Sequence, residues 1–335
     1  MSAKQIVALL NSHIEGDEEL FLSIALQAAA QAARSGSKAD SDTLKQLVQR
    51  ARDRRRLGRD SAPTPIPLAR PKGELQGLVE SSYPKTTLAN MVLSEDIDER
   101  LRRLLLEQRE RAVLRDHGQR PATHVLLIGP PGTGKTMTAS ALAGELKLPL
   151  FSVRLDALFS RFLGETASKL RLLFDQIAQL RGVYLLDEFD ALGARRGAQN
   201  DVGEIRRVLN SILSFMEEPN ATDSLVIAAT NHVGILDEAL ARRFDEVVEY
   251  QVPDTAGARA VIERRLCKFK VNAAVWKRLS KALEGLSQAE LVRAAEAVAK
   301  NAILSGTGEI STDRLEQALL DRARVRRRFT LGVEP

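Results

Sequence analysis

The stretch Val125-Leu126-Leu127-Ile128-Gly129-Pro130-Pro131-Gly132-Thr133-Gly134-Lys135-Thr136 decides the fold. Its four leading apolar residues read as a short buried strand, and Gly129 to Thr136 matches the pattern G-x-x-x-x-G-K-[ST]. Glycines let the backbone turn so that successive N–H groups point inward at phosphates, and the helix that follows adds its positive N-terminus. Gly129, Pro130, Pro131, Gly132, Thr133 and Gly134 are the candidate cradle. Lys135 is placed to reach the β- and γ-phosphates of a nucleotide, and the Thr136 hydroxyl to ligate Mg²⁺.

Downstream, Tyr184-Leu185-Leu186-Asp187-Glu188 is an apolar strand ending in two carboxylates. Charges at the end of a buried strand need a partner such as a metal. Asp187 is the candidate to hold Mg²⁺ through water. Glu188 is the candidate to orient and polarise an attacking water, since phosphoryl transfer relies on positioning and charge stabilisation. Without the loop upstream, the same pair reads equally well as surface charge.

Working outward, residues 125–128, 150–153, 183–187, 225–230 and 246–250 are five strand-like runs separated by helical stretches. That alternation predicts an α/β fold with a five-stranded parallel sheet covered on both faces. Ile97, Leu101, Leu104 and Leu105 form a helical stripe before the first of these strands, and after Pro253 only helical patterns follow. Upstream, residues 3–57 read as three short helices, and Ser61 to Gly73 holds four prolines without periodicity. The expected organisation is a helical N-terminal module at 1–57 that selects substrate or partner, a linker at 58–86, an α/β domain at 87–252 and a small all-helical lid domain at 253–328.

Composition narrows the class. A chain of 335 residues, 44% hydrophobic and 28% charged, is globular, and its low aromatic content of 4% suits a helix-rich protein. One cysteine, Cys267, forms no intrachain disulfide and no cysteine-based metal site, which points to a reducing, cytoplasmic setting. Leu20 to Ala33 is too short to span a bilayer and follows acidic Gly16-Asp17-Glu18-Glu19, so no signal peptide or membrane anchor is expected. His13, His117, His124 and His232 have no spacing that suggests a metal site. The net charge of +5 is a weak hint of anionic partners. Arginines cluster at Arg50–Arg59 and Arg322–Arg328, which read either as contacts to phosphate or acidic neighbours or as solvated helix ends.

In combination these motifs resemble the AAA clade of AAA+ ATPases from about Leu88 to Arg322, most of the chain. Gly129–Thr136 and Leu185–Asp190 look like that family's Walker A and Walker B, and Ala228-Ala229-Thr230-Asn231 like its sensor 1. The resemblance implies ATP and Mg²⁺ as cofactors, with Asn231 positioning the water near the γ-phosphate. Leu236 to Asp245 is similar to the segment carrying paired arginine fingers, which implies that Arg242 and Arg243 reach the nucleotide of a neighbouring subunit in a homo-oligomer, a hexamer. The alternative is that one of them is a structural surface residue. A Pro-Gly insertion common in that segment is missing, as in the microtubule-severing and membrane-remodelling branches.

Ser160 to Glu165 resembles the first pore loop, whose pair Phe162-Leu163 would face a central channel and grip a polypeptide; the alternative packs Phe162 into its own core. Arg195, Arg196 and residues 197–202 correspond to the second pore loop or a subunit boundary. Gly285 to Leu291 is similar to the family's G-x-S-G-A-D-L segment beside the nucleotide, with Gln288 standing for Gly and Glu290 for Asp. By the same resemblance Met137 and Ala289 contact the nucleotide, while Met91 and Val92 lie where the family meets adenine or serve as ordinary core.

Three functions follow from these features. The first is a hexameric ATPase that remodels or unfolds proteins through a pore. The second is a regulatory ATPase subunit controlling a separately encoded effector, for example a protease in stress or anti-phage defence, because the sequence carries neither H-E-x-x-H nor G-x-S-x-G. The third is a nucleic-acid-stimulated motor or loader, suggested by the arginine clusters and supported by no winged-helix or zinc-ribbon pattern.

Overall fold

The computed structural model describes residues 73–158, 163–190, 201–218, 220–232, 241–271, 275–306 and 308–330, together with Ile24. The chain divides into two units, Met1–Pro67 and Leu68–Pro335. The helices expected within 1–57, the cluster Arg50–Arg59, Phe162, and Arg195 and Arg196 lie outside the described residues.

The second unit is built on one six-stranded sheet in the order β1-β3-β4-β5-β2-β6. Its strands are β1 (Val79–Ser82), β2 (His124–Ile128), β3 (Leu150–Val153), β4 (Val183–Leu186), β5 (Leu225–Thr230) and β6 (Glu246–Glu249). The last five are mutually parallel, as the alternating pattern predicts. The additional strand, β1, pairs antiparallel with β3 and falls inside the linker expected at 58–86, which is corrected at these residues. Val79-Glu80-Ser81-Ser82 carries one apolar side chain and shows no strand signature by itself; pairing with the edge of β3 makes it a strand.

Alternation along the parallel strands splits the core in two. Leu126, Ile128, Phe151, Tyr184, Leu186, Val226 and Ala228 face one side, where α5 (Leu163–Gln179) and α6 (Asp201–Met216) supply Leu170, Leu173 and Ile212. Val125, Leu127, Val183, Leu185 and Ile227 face the other, covered by α1 (Glu95–Arg109) and α3 (Lys135–Leu146). Helix α1 shows why such covering forms. Glu95, Asp96 and Asp98 sit in its first turn, favourable to the helix dipole, and Ile97, Leu101, Leu104, Leu105 and Gln108 make its buried stripe. The short helices α2 (Arg111–Asp116) and α4 (Leu155–Leu158) complete this part.

The C-terminal helices are α7 (Thr255–Arg265), α8 (Val275–Leu283), α9 (Gln288–Leu304) and α10 (Thr312–Thr330). They enclose their own core around Trp276, Leu279, Leu291, Leu315 and Leu319. Asp254 starts α7 by accepting a 2.7 Å hydrogen bond from the Gly257 N–H. Ser287 and Glu290 form a reciprocal capping box at the start of α9. Among the described residues no helix is long and apolar enough to cross a membrane.

Strand order positions the site. β2 lies between β5 and β6, while the chain leaving it through α3 crosses to β3, beyond β5 and β4. Connections therefore diverge at the carboxyl end of β2, which is where open α/β sheets place a ligand crevice. The adjacency β4-β5-β2 also sets the ends of those three strands side by side, bringing Asp187, Asn231 and the glycine-rich loop together.

Candidate active site

Gly129 to Gly134 carry the chain from β2 into α3. Gly129 has φ 147°, and a Cβ there would lie 2.3 Å from the Tyr250 carbonyl oxygen, so the backbone twist and the close approach both require glycine. Gly132 has φ 77° and is overlain by the helical part, where a Cβ would meet Ser287 Oγ at 2.9 Å. Tyr250 supports the loop from beneath. Its N–H donates to Ile128 O at 2.7 Å, and its hydroxyl shares a 2.6 Å hydrogen bond with buried Thr138 Oγ1 on α3. Burial pushes the Tyr250 phenol up to about 12, so it stays a neutral hydroxyl.

Lys135 is 7% exposed, an unusual burial for a lysine. Its Nζ donates to Gly129 O at 2.6 Å, Pro130 O at 2.9 Å and Asn231 Oδ1 at 2.9 Å. Burial lowers its pKa, while Asp187 and Asp190 pull the other way. The ammonium is thus held under the loop, where phosphate oxygens compete with neutral acceptors for it.

Next to it, Thr136 Oγ1 donates to Asp187 Oδ2 at 2.6 Å. A hydroxyl and a carboxylate this close form an oxygen pair suited to a hard cation that takes its remaining ligands from phosphates and water. The other Asp187 oxygen accepts from the Glu188 N–H at 2.9 Å. Glu188 has φ 52°, a left-handed conformation that non-glycine residues rarely adopt, and its side chain is exposed. The chain is fixed on both sides of it: Phe189 is buried and its N–H donates to Ala229 O at 2.8 Å.

Asp190 is a positioning residue that the sequence reading does not single out. Its Oδ1 accepts from Thr230 Oγ1 at 3.2 Å and from the Asn231 N–H at 3.3 Å, tying the end of β4 to the end of β5. The signal was its acidic side chain two residues after Glu188, on the far side of a buried phenylalanine.

From the helical part, the Ala289 N–H donates to Gly132 O at 3.0 Å, so the start of α9 rests on the loop. Glu290, in place of Asp, serves the capping box with Ser287. Gln288 Nε2 donates to Val92 O at 2.8 Å, and Arg264 Nη1 to Met91 O at 3.0 Å. Met91 is buried, and the Met137 side chain on the first turn of α3 is exposed.

Arg242 and Arg243 are exposed and are not gathered at the loop. They precede β6, which runs parallel to β2 with Val125 opposite Glu246, so they lie at the amino ends of these strands and the loop at the carboxyl ends. Arg243 pairs with Glu217 at the end of α6. Leu163 opens α5, with its side chain outside the described residues, as is Phe162.

A parallel sheet with a glycine-rich loop at its switch point, a buried lysine under that loop and a hydroxyl–carboxylate pair beside it defines a P-loop nucleoside triphosphatase. Residues 125–252 match the family described as "ATPase family associated with various cellular activities (AAA)". The chain is 34% identical over 314 residues to the AAA family ATPase y4kL of Sinorhizobium fredii, covering 93% of each chain. It is 33% identical over 248 residues to the ATP-dependent zinc metalloprotease FtsH of Rickettsia felis, covering 72% of this chain and 39% of the relative. It is 35% identical over 237 residues to the proteasome-activating nucleotidase of Saccharolobus islandicus, covering 68% of this chain and 60% of that one. The chain belongs to the AAA family of ATPases: it binds nucleotide and hydrolyses ATP.

Proposed function

We propose that this ATPase works as a hexameric ring in which Arg242 and Arg243 of each chain reach the nucleotide held by its neighbour, and that the ring remodels or unfolds polypeptides through a central pore. One observation carries the ring. The arginines and the loop lie at opposite ends of β2 and β6, whose paired residues from Val125 to Ile128 span about 10 Å at roughly 3.3 Å per residue. The placement favours action on a second copy over action on the chain's own site. An arginine supplied in trans neutralises transition-state charge.

In this reading the N–H groups of Gly132, Thr133 and Gly134 and the start of α3, with Met137 and Ala289 beside them and Gly129, Pro130 and Pro131 shaping the turn, hold ATP. Lys135 binds the β- and γ-phosphates. Thr136 and, through water, Asp187 would hold Mg²⁺, which would supply positive charge to offset that of the phosphates. Glu188 orients and polarises water, Asn231 fixes that water near the γ-phosphate, and Asp190 fixes Asn231.

Mixing tests the ring. A Lys135→Ala chain lacks its own site and keeps its arginines; an Arg243→Ala chain has the reverse defect. Each alone should be inactive and the mixture should regain part of the wild-type rate. Wild-type turnover by Arg243→Ala alone would refute the shared site. The pore is supported by the resemblance of Phe162-Leu163 to a substrate-gripping loop. Phe162→Ala should spare ATP hydrolysis and abolish unfolding of a protein substrate, and equal loss of both would refute it.

A second reading, control of a separately encoded effector such as a protease, is favoured by the relatives. One is named as a metalloprotease and another as proteasome-activating, while this sequence contains no H-E-x-x-H. A protease that copurifies with the chain from its native host would favour this reading over free-standing unfolding.

A further inference from the structure

Gln288 stands at the first position of α9, directly after the capping serine and directly before the residue whose N–H holds Gly132. Its side chain leaves the helical part and crosses to the segment before α1. Nε2 donates to Val92 O at 2.8 Å. The other amide atom is thereby oriented: Oε1 lies 3.5 Å from where a Cβ on Gly134 would sit, with Met91 Cε 3.4 Å from the same point. The last glycine of the phosphate loop is thus flanked by a hydrogen-bond acceptor and a thioether. Arg264 grips the adjacent carbonyl, Met91 O, at 3.0 Å, so two side chains of the helical part hold consecutive carbonyls of one segment.

A carboxamide can be anchored through its donor and still offer its acceptor. Phosphates give a nearby oxygen acceptor nothing to bind, and they repel it. The nucleoside end of a nucleotide carries donors, the ribose hydroxyls and an exocyclic amine. An acceptor held beside the loop by a half-buried side chain therefore suits the nucleoside and not the phosphate chain.

We propose that Gln288 is a specificity-determining residue for the nucleoside part of the bound nucleotide, its Oε1 accepting a hydrogen bond from a ribose hydroxyl or the exocyclic amine while Val92 O holds its Nε2. This rests on the reading that the nucleotide phosphates occupy the loop Gly129–Thr136. Gln288 joins the helical part to the segment before α1 across that loop, so it also couples nucleoside binding to the seating of α9.

The test compares ligands that share phosphates and differ in the nucleoside. Binding of ADP, 2′-deoxy-ADP, IDP and inorganic pyrophosphate, each with Mg²⁺, is measured on the full chain and on Gln288→Met, which keeps length and loses hydrogen bonding. Gln288→Ala serves as a second variant. ADP should bind about five- to tenfold more weakly to either variant, the scale of one hydrogen bond, with pyrophosphate within about twofold. A loss confined to ligands with the 2′-hydroxyl assigns that group as the donor, and a loss confined to ligands with the amine assigns the base; either supports the proposal. Unchanged ADP binding, or equal loss of ADP and pyrophosphate, overturns it. Lys135→Ala separates the two layers: if it too leaves pyrophosphate binding intact, the loop reading itself fails, whereas loss in Lys135→Ala with no nucleoside-selective effect in the Gln288 variants rejects Gln288 alone.

Discussion

The two ends of the parallel strands handle charge in opposite ways. At the amino ends the charges are matched within the chain: Glu246 pairs with Arg100 and Arg103, Arg115 with Asp223, and Asp245 accepts from the N–H groups of Thr123 and His124. A cleft of about 850 Å³ opens there among acidic and basic side chains. At the carboxyl ends, Lys135 is buried against neutral acceptors, Asp187 is bonded to a hydroxyl and a backbone N–H, and Glu188 is exposed on a strained backbone. Such an arrangement suits the nucleotide phosphates that this family binds. The amino end also exposes Arg242 and Arg243, the latter paired with Glu217, so the proposed ring would set these arginines of one chain against the loop of the next.

The strongest way to break this contrast is Arg243→Ala. Under the proposed ring, in which this arginine offsets transition-state charge at another subunit, its removal should lower kcat by about 10³- to 10⁵-fold with ATP affinity nearly unchanged. Steady-state kinetics paired with equilibrium ATP binding decides it. A variant that lost affinity and kept kcat would place Arg243 in ground-state binding. Glu188→Gln, at the other end, keeps the shape and loses the carboxylate, and should lower turnover by roughly 10²- to 10⁴-fold while ATP still binds. Normal hydrolysis by this variant would remove Glu188 from the chemistry.

Most of the carboxyl-end site was legible in the sequence because it rests on contiguous motifs. Loop, strand and helix follow one another from Val125 to Leu146, and Asp187-Glu188 and Asn231 each close an apolar run. What escaped is held by partners distant in sequence. β1 is a strand because β3 offers an edge, with Leu150, 68 residues further on, opposite Ser82. Asp190 matters through Thr230, and Tyr250 through Thr138, 112 residues away. Gln288 departs from the resembled pattern, and only its contact with Val92 shows what replaced the glycine.

Beneath the loop, Thr138 and Tyr250 sharpen the contrast at smaller scale, because they separate support from chemistry. Thr138→Val leaves the Tyr250 hydroxyl buried without its partner and should cost about 1–3 kcal/mol in denaturant unfolding. Tyr250→Phe should cost less, since Thr138 Oγ1 retains Gly134 O at 3.1 Å. The order Thr138→Val above Tyr250→Phe is the prediction, and the reverse order would mean that the tyrosine hydroxyl has another partner. Turnover per folded molecule should change far less in either variant than in Glu188→Gln.

The gentlest probe is pH. Burial depresses the Lys135 pKa below the ordinary lysine value of about 10.4, although Asp187 and Asp190 oppose the shift. The sign follows directly. Below the depressed pKa the ammonium is charged and attracts phosphate; as pH rises through it, the free protein loses that charge and must regain a proton to bind. Nucleotide phosphates favour the charged form, so the bound protein titrates higher, and affinity falls between the two values. ADP affinity should therefore weaken on the alkaline side at a pH lower than an exposed lysine would give, with up to one proton taken up per nucleotide bound between the two values. Lys135→Arg separates this titration from others, because a guanidinium stays charged throughout the range. Its residual binding should lose the alkaline decline, and a decline that persisted in Lys135→Arg would assign the titration to another group.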